Sequence, residues 1–378
     1  MLPLLLFFST LAHAIVVSGP SGPWPVSHHV VELTDESRWD PYAPETNPHK
    51  RRILTSFFVP VDVNQKKCEF EKIDYLTPAT AKTYGKMVES MGLPNTILQG
   101  LELEFCKASS KKEPSWPVVI FSPGFSSSRL LSSAQAQSLA SHGNVVITID
   151  HPYEAIVVEF PDGDVVYGFT PDEAGGERTE KAFKVRVQDV SFLIDLISAS
   201  SKLGGNIDAK LDTSKIFVYG HSLGGATSAQ VALDDDRVLG GLDLDGQLFG
   251  SVKEVGLDKP FFLIGEETLA NGTTYFGDFI DKVRGPKMLI TIDGTKHLSF
   301  FDAPLLLSLR DDLPPELKPV IAGALGTIDG KRVASILDRI LEAVTSFVFK
   351  GRANFLCKIE DKISEVVLMK RDLKKACK

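Results

Sequence analysis

The sequence contains no run of basic residues longer than three and no long uninterrupted hydrophobic run. Its 41 Lys and Arg residues are outnumbered by 49 Asp and Glu residues, so the net charge is −8. This balance argues against nucleic acid as a partner and against electrostatic binding to anionic membranes. The apolar runs are shorter than the roughly 20 residues that a transmembrane helix requires. Any contact with a lipid surface therefore has to be apolar.

The first 14 residues contain no Asp, Glu, Lys or Arg. They form an apolar segment that ends in Ala12-His13-Ala14, a small-residue pattern typical of a signal-peptide cleavage site. We expect residues 1–14 to be a signal peptide and the mature protein to be secreted and extracellular; a buried N-terminal strand is the alternative. In a secreted protein, the sequon at Asn271 is a candidate glycosylation site.

Cysteine is scarce, and the four cysteines lack the spacing of a metal site. We therefore expect no bound metal, and nothing in the sequence calls for a cofactor. An even number of cysteines in a secreted chain indicates two disulfides, for which three connectivities exist. Proximity in the sequence favours Cys68 with Cys106 and Cys357 with Cys377.

With 378 residues, 43% of them hydrophobic, the chain is long enough for one large domain with a buried core. From Pro117 onward, short apolar runs alternate with helical patterns. That alternation is typical of a parallel sheet covered by helices on both faces. The predicted strands are 53–59, 118–121, 145–150, 216–219, 238–244, 260–264 and 287–292, and the predicted helices are 130–141, 177–201, 223–233 and 332–348, with short helices within 76–98 and a hairpin at 160–167.

We predict one doubly wound α/β domain over residues 51–350 with an addition at each end. Residues 15–50 are rich in Pro, Gly, His and charge, and are predicted to form an extended arm that includes an edge strand. Residues 351–378 mix charged and apolar side chains and are predicted to form a helical tail.

The most informative stretch is Gly220-His221-Ser222-Leu223-Gly224, which follows a β-branched and aromatic run and precedes small residues that suit the start of a helix. Strand, sharp turn and helix are the context in which G-x-S-x-G holds a nucleophilic serine, with glycines where a side chain would collide with neighbouring backbone. Ser222 is therefore the predicted nucleophile. A serine hydroxyl is weak at neutral pH, so a histidine and a carboxylate have to accompany it.

His297 is the single histidine that follows Ser222 in the chain. In folds with this serine turn, the acid and then the histidine come after the nucleophile. His297 also follows the last predicted apolar strand of the sheet, where a loop can carry an imidazole back over the serine. His297 is therefore the predicted base, whereas His221 is predicted to have a packing or hydrogen-bonding role.

Three carboxylates are candidates for the acid. Asp245 follows the strand after the nucleophile helix, and Glu266 and Glu267 follow the next strand. Each position lies at the carboxyl end of a predicted parallel strand, where active sites of such sheets are found. The pattern of residues leaves the choice among them open.

An oxyanion hole requires two backbone N–H groups directed at the developing negative charge. Leu223, directly after the nucleophile, can supply one. The loop that follows the strand 118–121 can supply the other; Pro123 has no N–H, so Phe125 is the best candidate. The alternative is that this loop is a plain strand-to-helix turn.

Five segments, taken in their order, resemble the plasma-type platelet-activating-factor acetylhydrolase family, also called the group VII phospholipase A2 type. They are VVIFSPGFSSSR, SLASHGNVVITIDHP, GHSLGGA, LDLDGQLFG and GTKHLSFFD, and LTDESRWDPYAP and GTIDGKR add to the likeness. The resemblance spans most of the mature chain. It implies an α/β-hydrolase fold and a serine esterase that releases short acyl groups from the sn-2 position of phospholipids without metal or calcium.

The resemblance also implies roles for individual residues. Ser222 matches the family's nucleophile, His297 its base and Asp245 its acid, which favours Asp245 over the two glutamates. Phe125 and Leu223 match the oxyanion donors. The chain has Pro123 where many relatives have histidine, and because the donors are backbone amides this difference need not remove activity.

The expected substrate is thus a small-molecule or lipid ester, hydrolysed through an acyl-enzyme. A general short-chain carboxylesterase or a cutinase-like polyester hydrolase is the alternative, and an inactive hydrolase fold used as a binding module is a third hypothesis. Phe249, Leu298, Phe300 and Phe301 are candidates for an apolar substrate pocket, although aromatic residues at strand ends more often belong to the core. The sequence does not predict an oligomeric state.

Overall fold

A computed structural model of the chain describes residues 14–62, 68–107, 114–199, 209–268, 274–310 and 313–377. Within these residues the largest element is a nine-stranded sheet, accompanied by a three-stranded sheet and a two-stranded hairpin. The strands in chain order are β1 (Ile15–Val16), β2 (Val26–Trp39), β3 (Lys50–Pro60), β4 (Phe70–Asp74), β5 (Leu101–Cys106), β6 (Ser115–Ser122), β7 (Val145–Asp150), β8 (Val157–Glu159), β9 (Val165–Tyr167), β10 (Lys210–His221), β11 (Val238–Leu244), β12 (Phe261–Glu266), β13 (Lys287–Ile292) and β14 (Val366–Asp372).

The helices cover both faces of the large sheet. In chain order they are α1 (Pro78–Ser90), α2 (Ser133–Ser141), α3 (Gly176–Ala199), α4 (Leu223–Asp234), α5 (Val252–Val255), α6 (Thr274–Lys282), α7 (Ala303–Ser308), α8 (Lys318–Leu325), α9 (Gly330–Lys350) and α10 (Ile359–Lys362). The longest are α3 and α9, and apolar residues of α3 pack on one face of the sheet while those of α9 pack on the other.

The strand order in the large sheet is β14-β13-β12-β11-β10-β6-β7-β3-β2. The strands from β13 to β7 run parallel to their neighbours, whereas β14 at one edge and β3 and β2 at the other are antiparallel. From β6 the chain winds first to β7 and later to β10 on the opposite side. The carboxyl ends of β6 and β10 therefore form the switch point at which such sheets bind ligands. The predicted doubly wound fold is confirmed.

Strand β10 shows why the sheet is buried on both faces. Ile216 and Val218 point into one apolar layer and Phe217 and Tyr219 into the other, and all four are fully buried. Side chains of a strand point alternately to the two faces of the sheet, so a wholly apolar run contributes to the apolar layers on both faces. This packing fixes the position of the turn that follows at Ser222.

Helix α9 is held at both ends by residues outside it. The Asp329 side chain accepts a hydrogen bond from the Arg332 backbone N–H at 3.1 Å, and Gly351 ends the helix with φ of +70°. Six of its buried apolar residues recur with helical periodicity and form the stripe that covers the sheet: Val333, Ile336, Leu337, Ile340, Leu341 and Val344.

The prediction of a helical tail for residues 351–378 was wrong. The tail contains the four-residue helix α10 and then β14, which pairs antiparallel with β13. The run Val366-Val367-Leu368 explains the difference, because β-branched and apolar side chains on the open edge of a sheet gain more from pairing with β13 than from a solvated helix. A disulfide joins Cys357 to Cys377 and ties the end of the tail to its beginning.

The N-terminal arm is part of the large sheet. Its strand β2 spans 14 residues and pairs along almost its whole length with β3. The predicted boundary at residue 50 therefore separates two adjacent strands of one sheet and not two structural units.

No sequence pattern described above predicts β4, β5 or the helices α6 to α8. Strand β5 alternates strictly, with Leu101, Leu103 and Phe105 buried, so this alternation was the available signal. It joins β1 and β4 in the three-stranded sheet. The second disulfide, Cys68 to Cys106, lies at the end of this sheet, so both cysteine pairs are those that sequence proximity favours.

Two predictions fall on residues outside the described ranges. Residues 1–13 of the predicted signal peptide and Asn271 of the sequon are among them. In the described part of the chain, no helix is both long and apolar enough to cross a bilayer.

Candidate active site

Ser222 occupies the turn between β10 and α4 in a conformation that L-amino acids rarely adopt, with φ of +55° and ψ of −123°. The glycines on either side permit this turn. A Cβ atom on Gly220 would lie 2.2 Å from the backbone of Gly224, and one on Gly224 would lie 1.9 Å from the backbone oxygen of Ser122. Side chains at these positions are excluded by backbone, as expected for a strained turn that presents a serine.

Asp245 and His297 are in direct contact. Nδ1 of His297 lies 2.6 Å from Oδ2 of Asp245, and the two residues follow β11 and β13 respectively. The His297 side chain is 46% exposed, whereas that of Asp245 is 6% exposed. The imidazole therefore faces solvent while a buried carboxylate holds its inner nitrogen. Because the carboxylate accepts a hydrogen bond from Nδ1–H, the proton of the neutral ring is on Nδ1 and Nε2 is free to act as an acceptor.

The environment of Asp245 favours this orientation. Its backbone has φ of +58°, and its second oxygen, Oδ1, accepts the backbone N–H of Glu266 at 2.8 Å. Burial raises the pKa of Asp245 above its usual value, and the hydrogen bonds from His297 and Glu266 oppose that rise. The carboxylate is thus fixed by two donors before any ligand arrives.

The two glutamates that the sequence left as alternative acids lie near the pair, and among the described residues the hydrogen bond of the imidazole is accepted by Asp245 and not by either of them. Glu266 contributes its backbone N–H to Asp245. Glu267 accepts the backbone N–H of Gly294 at 2.9 Å and the Lys296 ammonium at 3.0 Å. Glu267 therefore anchors the loop that leads from β13 to His297.

His221 holds the backbone of His297 by a hydrogen bond. Its Nε2 donates to the backbone oxygen of His297 at 2.9 Å, and the two ring centroids lie 4.7 Å apart. Burial, followed by the charge of His297, lowers the pKa of His221 to about 3, so this ring is neutral at physiological pH. The contact joins the residue before Ser222 to the backbone of His297, which places the imidazole beside the serine turn.

Within the described part of the chain, Ser222 donates its backbone N–H to the Leu244 oxygen at 2.8 Å, and no hydrogen bond of its hydroxyl is found. In ligand-free sites of this type, the bond between nucleophile and base is often long and shortens only in the complex. Ser222 as a residue is half-buried.

The two predicted oxyanion donors belong to segments that adjoin Ser222. Leu223 is the first residue of α4, and its N–H belongs to the first turn, where a helix provides no acceptor. Gly124 lies against the serine, since a Cβ on Gly124 would be 3.2 Å from Cβ of Ser222. Phe125 follows it and packs in one apolar cluster with Leu223, Phe183 and others.

A second Ser-His-Asp array, which sequence reasoning missed, lies behind this site. Ser122 Oγ is 3.1 Å from His151 Nε2, and His151 Nδ1 is 2.9 Å from Asp189 Oδ2. All three residues are at most 1% exposed, and Asp189 is also paired with the buried Arg51. No ester can reach this array, which instead cross-links the ends of β6 and β7 to α3. No local sequence signal connects Asp189 to the other two residues.

The candidate pocket residues divide into two groups. Phe300 is fully buried and belongs to the core. Phe301 is half-buried and packs against His221 with ring centroids 5.7 Å apart. Phe249 packs against Phe183 at 5.9 Å in the cluster that contains Leu223. Leu298 is half-buried beside His297, so three of the four lie next to the site.

Among the described residues, no group of three or more His, Cys, Asp or Glu side chains is arranged to hold a metal ion. The site consists of a hydroxyl, an imidazole, a carboxylate and backbone amides. These groups can carry out acyl transfer by nucleophilic attack and general acid–base catalysis.

Comparison with known proteins gives one family. The family model described as platelet-activating factor acetylhydrolase, isoform II, matches residues 80–160 and 195–309, which together are just over half of the chain. Ser222, Asp245 and His297 lie in the second matched region and Phe125 in the first.

Two relatives and one solved structure are similar to this chain. A probable 1-alkyl-2-acetylglycerophosphocholine esterase of Arthroderma benhamiae is 30% identical over 66% of this chain and 63% of its own length. A platelet-activating factor acetylhydrolase of Cavia porcellus is 29% identical over 50% of this chain and 48% of its own. The chain thus spans less than two thirds of the length of these relatives. The structure of a ferulic acid esterase from Streptomyces cinnamoneus matches 94% of this chain and 100% of its own with a TM-score of 0.76 and 26% identity, consistent with an α/β-hydrolase fold.

Proposed function

Because the chain belongs to the platelet-activating factor acetylhydrolase isoform II family, we propose that it is a secreted serine esterase that removes a short acyl group, above all the sn-2 acetyl group, from phospholipids. The observation that carries this proposal is the 2.6 Å contact of His297 with Asp245, held by His221 beside the strained turn at Ser222.

Acylation begins with attack of Ser222 Oγ on the ester carbonyl while Nε2 of His297 accepts the hydroxyl proton. The carbonyl oxygen becomes negatively charged and accepts hydrogen bonds from the backbone N–H groups of Leu223 and Phe125. His297 then gives its proton to the departing alkoxide, which leaves the acyl group on Ser222.

Deacylation repeats these steps with water as the nucleophile. His297 Nε2 accepts a proton from water, which attacks the acyl carbonyl, and Ser222 leaves as the protonated hydroxyl. Throughout, the Asp245 carboxylate stabilises the positive charge on the imidazole, and its burial keeps that interaction from being weakened by water.

The surroundings of Leu223 support a preference for short acyl groups. Ala182, Phe183 and Ala226 are buried directly beside it, and Phe249 packs on the same cluster. Two aromatic rings therefore occupy space that a long acyl chain would need if it extended past Leu223.

Extracellular location is supported by the two disulfides, because such bonds persist in oxidising compartments. It accords with the signal peptide proposed for residues 1–14 and with a glycan on Asn271.

A general carboxylesterase is the second candidate, and the similarity to a ferulic acid esterase over 94% of the chain favours it. Phe125 and Phe169 stack with centroids 5.9 Å apart next to the proposed oxyanion loop, and such rings can also contact aromatic acyl groups. The two candidates share one mechanism and differ in the ester that is cleaved.

Two measurements test the proposal. A fluorophosphonate probe should label the purified protein at Ser222; absence of labelling would indicate an inactive hydrolase fold that serves as a binding module. A panel of sn-2 acetyl to decanoyl phospholipids, p-nitrophenyl esters, methyl ferulate and a polyester film then separates the candidates. Preference for acetyl phospholipid supports the proposed function, and faster cleavage of ferulate or polyester supports the second candidate.

A further inference from the structure

Residues 123–126, here called the oxyanion loop, lie directly over the serine turn. A Cβ on Gly124 would be 3.1 Å from His221 Nδ1 and 3.2 Å from Ser222 Cβ. The proposed donor Phe125 is at the centre of this loop. A displacement of about 1 Å in a catalytic group can lower a rate about 100-fold, so what fixes the loop matters to catalysis.

One buried ion pair holds both ends of the oxyanion loop. Arg186 Nη1 donates to the backbone oxygen of Pro123 at 2.6 Å, and Ser126 donates its backbone N–H to Glu154 Oε1 at 3.0 Å. Arg186 Nη2 also donates to Glu154 Oε2, so the two side chains are joined to each other. The pair therefore bridges the residues on either side of Gly124 and Phe125.

The pair is isolated from solvent, with Arg186 and Glu154 side chains 0% and 2% exposed. A buried ion pair carries a large desolvation cost and is not by itself a reason for stability. Moreover, Nε of Arg186 is buried without a hydrogen-bond partner in the described structure. The guanidinium is thus oriented toward Pro123 and Glu154 at the expense of one of its own donors.

Ser126 requires such restraint because its φ is +57°, a conformation that costs energy for a residue with a side chain. Besides the bond to Glu154, its backbone oxygen accepts the N–H of Ile156 at 2.9 Å and the hydroxyl of Tyr84 at 3.3 Å. Strained residues persist where several contacts determine them together. Glu154 supplies the contact to the backbone N–H.

We propose that Glu154 and Arg186 are positioning residues that hold the oxyanion loop in the geometry that binds the tetrahedral oxygen. Neither side chain is hydrogen-bonded to Ser222 or His297 in the described structure, so both act through the loop. The inference rests on the proposed esterase function and is independent of which ester is the natural substrate.

The test uses three variants of the whole protein. Glu154→Met with Arg186→Met removes both charges together, which avoids leaving one buried charge unpaired. Glu154→Gln alone retains an acceptor for the N–H of Ser126. Arg332→Met with Glu365→Met is the control for removing an ion pair elsewhere, since these two side chains are joined by two hydrogen bonds of 2.7 Å, are partly exposed, and lie between α9 and the residue before β14.

Turnover of p-nitrophenyl acetate is measured per serine titrated to completion with a fluorophosphonate. Inhibition constants are measured for a short trifluoromethyl ketone, which forms a tetrahedral adduct, and for the corresponding methyl ketone. For the double methionine variant we expect kcat to fall about 100-fold with KM changed less than about threefold. Trifluoromethyl ketone binding should weaken by a similar factor and methyl ketone binding should not. Glu154→Gln should retain more turnover, and the control should match wild type.

The inference is overturned if the double methionine variant keeps kcat per titrated serine within about threefold of wild type. It is also overturned if both ketones lose affinity equally, because that pattern indicates general loosening of the site. If the wild-type protein is neither labelled nor active, the proposed function and this inference both fail. If the wild type is active and the double variant is fully active, only this inference fails.

Discussion

His221 donates a hydrogen bond from Nε2 to the backbone oxygen of His297 at 2.9 Å, so the residue before the proposed nucleophile holds the proposed base. We expect His221→Phe, which keeps a ring but loses the donor, to lower kcat about five- to tenfold with little change in KM, as for loss of one hydrogen bond. His221→Gln, which retains a donor, should recover part of the loss. The pH–rate profile should shift for the phenylalanine variant, and an unchanged kcat and profile would contradict this role.

Ser222→Ala should lower ester turnover by several powers of ten and abolish fluorophosphonate labelling, because no other hydroxyl replaces the nucleophile. Ser122→Ala is the informative control, since Ser122 also contacts a histidine but is fully buried. That variant should still be labelled. Labelling that disappears with Ser122 and persists without Ser222 would reverse the assignment.

Asp245→Asn should reduce kcat by about 10⁴-fold, because an amide at this position favours the wrong tautomer of His297. Glu266→Gln should leave turnover within a few-fold, since its backbone N–H and not its side chain contacts Asp245. Glu267→Gln should have an intermediate effect through the loop that carries Gly294 and Lys296. Steady-state kinetics of the three variants measure kcat for each. A severe loss of kcat confined to Glu266→Gln or Glu267→Gln would identify that glutamate as the acid in place of Asp245.

Phe249→Ala should widen the acyl side of the site, because Phe249 packs on Phe183 in the cluster that contains Leu223. We expect the ratio of kcat/KM for hexanoyl to acetyl esters to rise about tenfold, the scale of a few methylene contacts. Phe301→Ala is the matched control, since Phe301 packs on His221 instead. An identical chain-length profile in wild type and Phe249→Ala would show that this ring does not limit the acyl group.

His28→Phe should make the fold less sensitive to acid. His28 is half-buried and packs against Phe58 and Phe105; desolvation, followed by the charge of Arg129, lowers its pKa from 6.5 to about 3. Between these values the unfolded chain binds a proton that the folded chain does not, so stability is present above pH 6.5 and is lost as the pH falls toward 3. One such histidine adds up to about 1.4 kcal/mol per pH unit to the slope of the free energy of unfolding against pH. Urea unfolding at pH 4 to 7 measures it, and equal slopes for the two proteins would refute the assignment.

The serine turn could be predicted from the sequence because its determinants are local. The strand, Gly220, Ser222 and Gly224 lie within a dozen residues, so the pattern can be read locally. A side chain on Gly220 is excluded by Gly224 within the turn, and one on Gly224 is excluded by the backbone of Ser122 on the neighbouring strand β6. The parallel strands were likewise indicated by short apolar runs, since each run feeds both cores. His297 was found because no other histidine follows Ser222.

The pattern of residues left the acid open, and it was the family resemblance that favoured Asp245. The contacts that hold the site in place could not be predicted, because they join distant segments of the chain. Asp245 and Glu266 occupy equivalent strand ends, and only the tertiary structure shows which side chain contacts the imidazole. Arg186 lies on α3 and reaches Pro123 across 63 positions of the chain. The edge strand β14 was missed because its gain comes from pairing with β13, which no local pattern reveals.

The pairing of β14 with β13 has a consequence for biosynthesis. Strand β13 leads into the loop that carries His297, and its outer edge pairs with residues 366–372. The ribosome synthesises these residues only after β13, which ends at residue 292. Until those residues emerge from the ribosome, the outer edge of β13 has no partner strand, and such an exposed apolar edge promotes association with other chains. Loss of residues 366–372 should therefore cause aggregation during expression, and chaperones that shield this strand would determine the yield of folded protein.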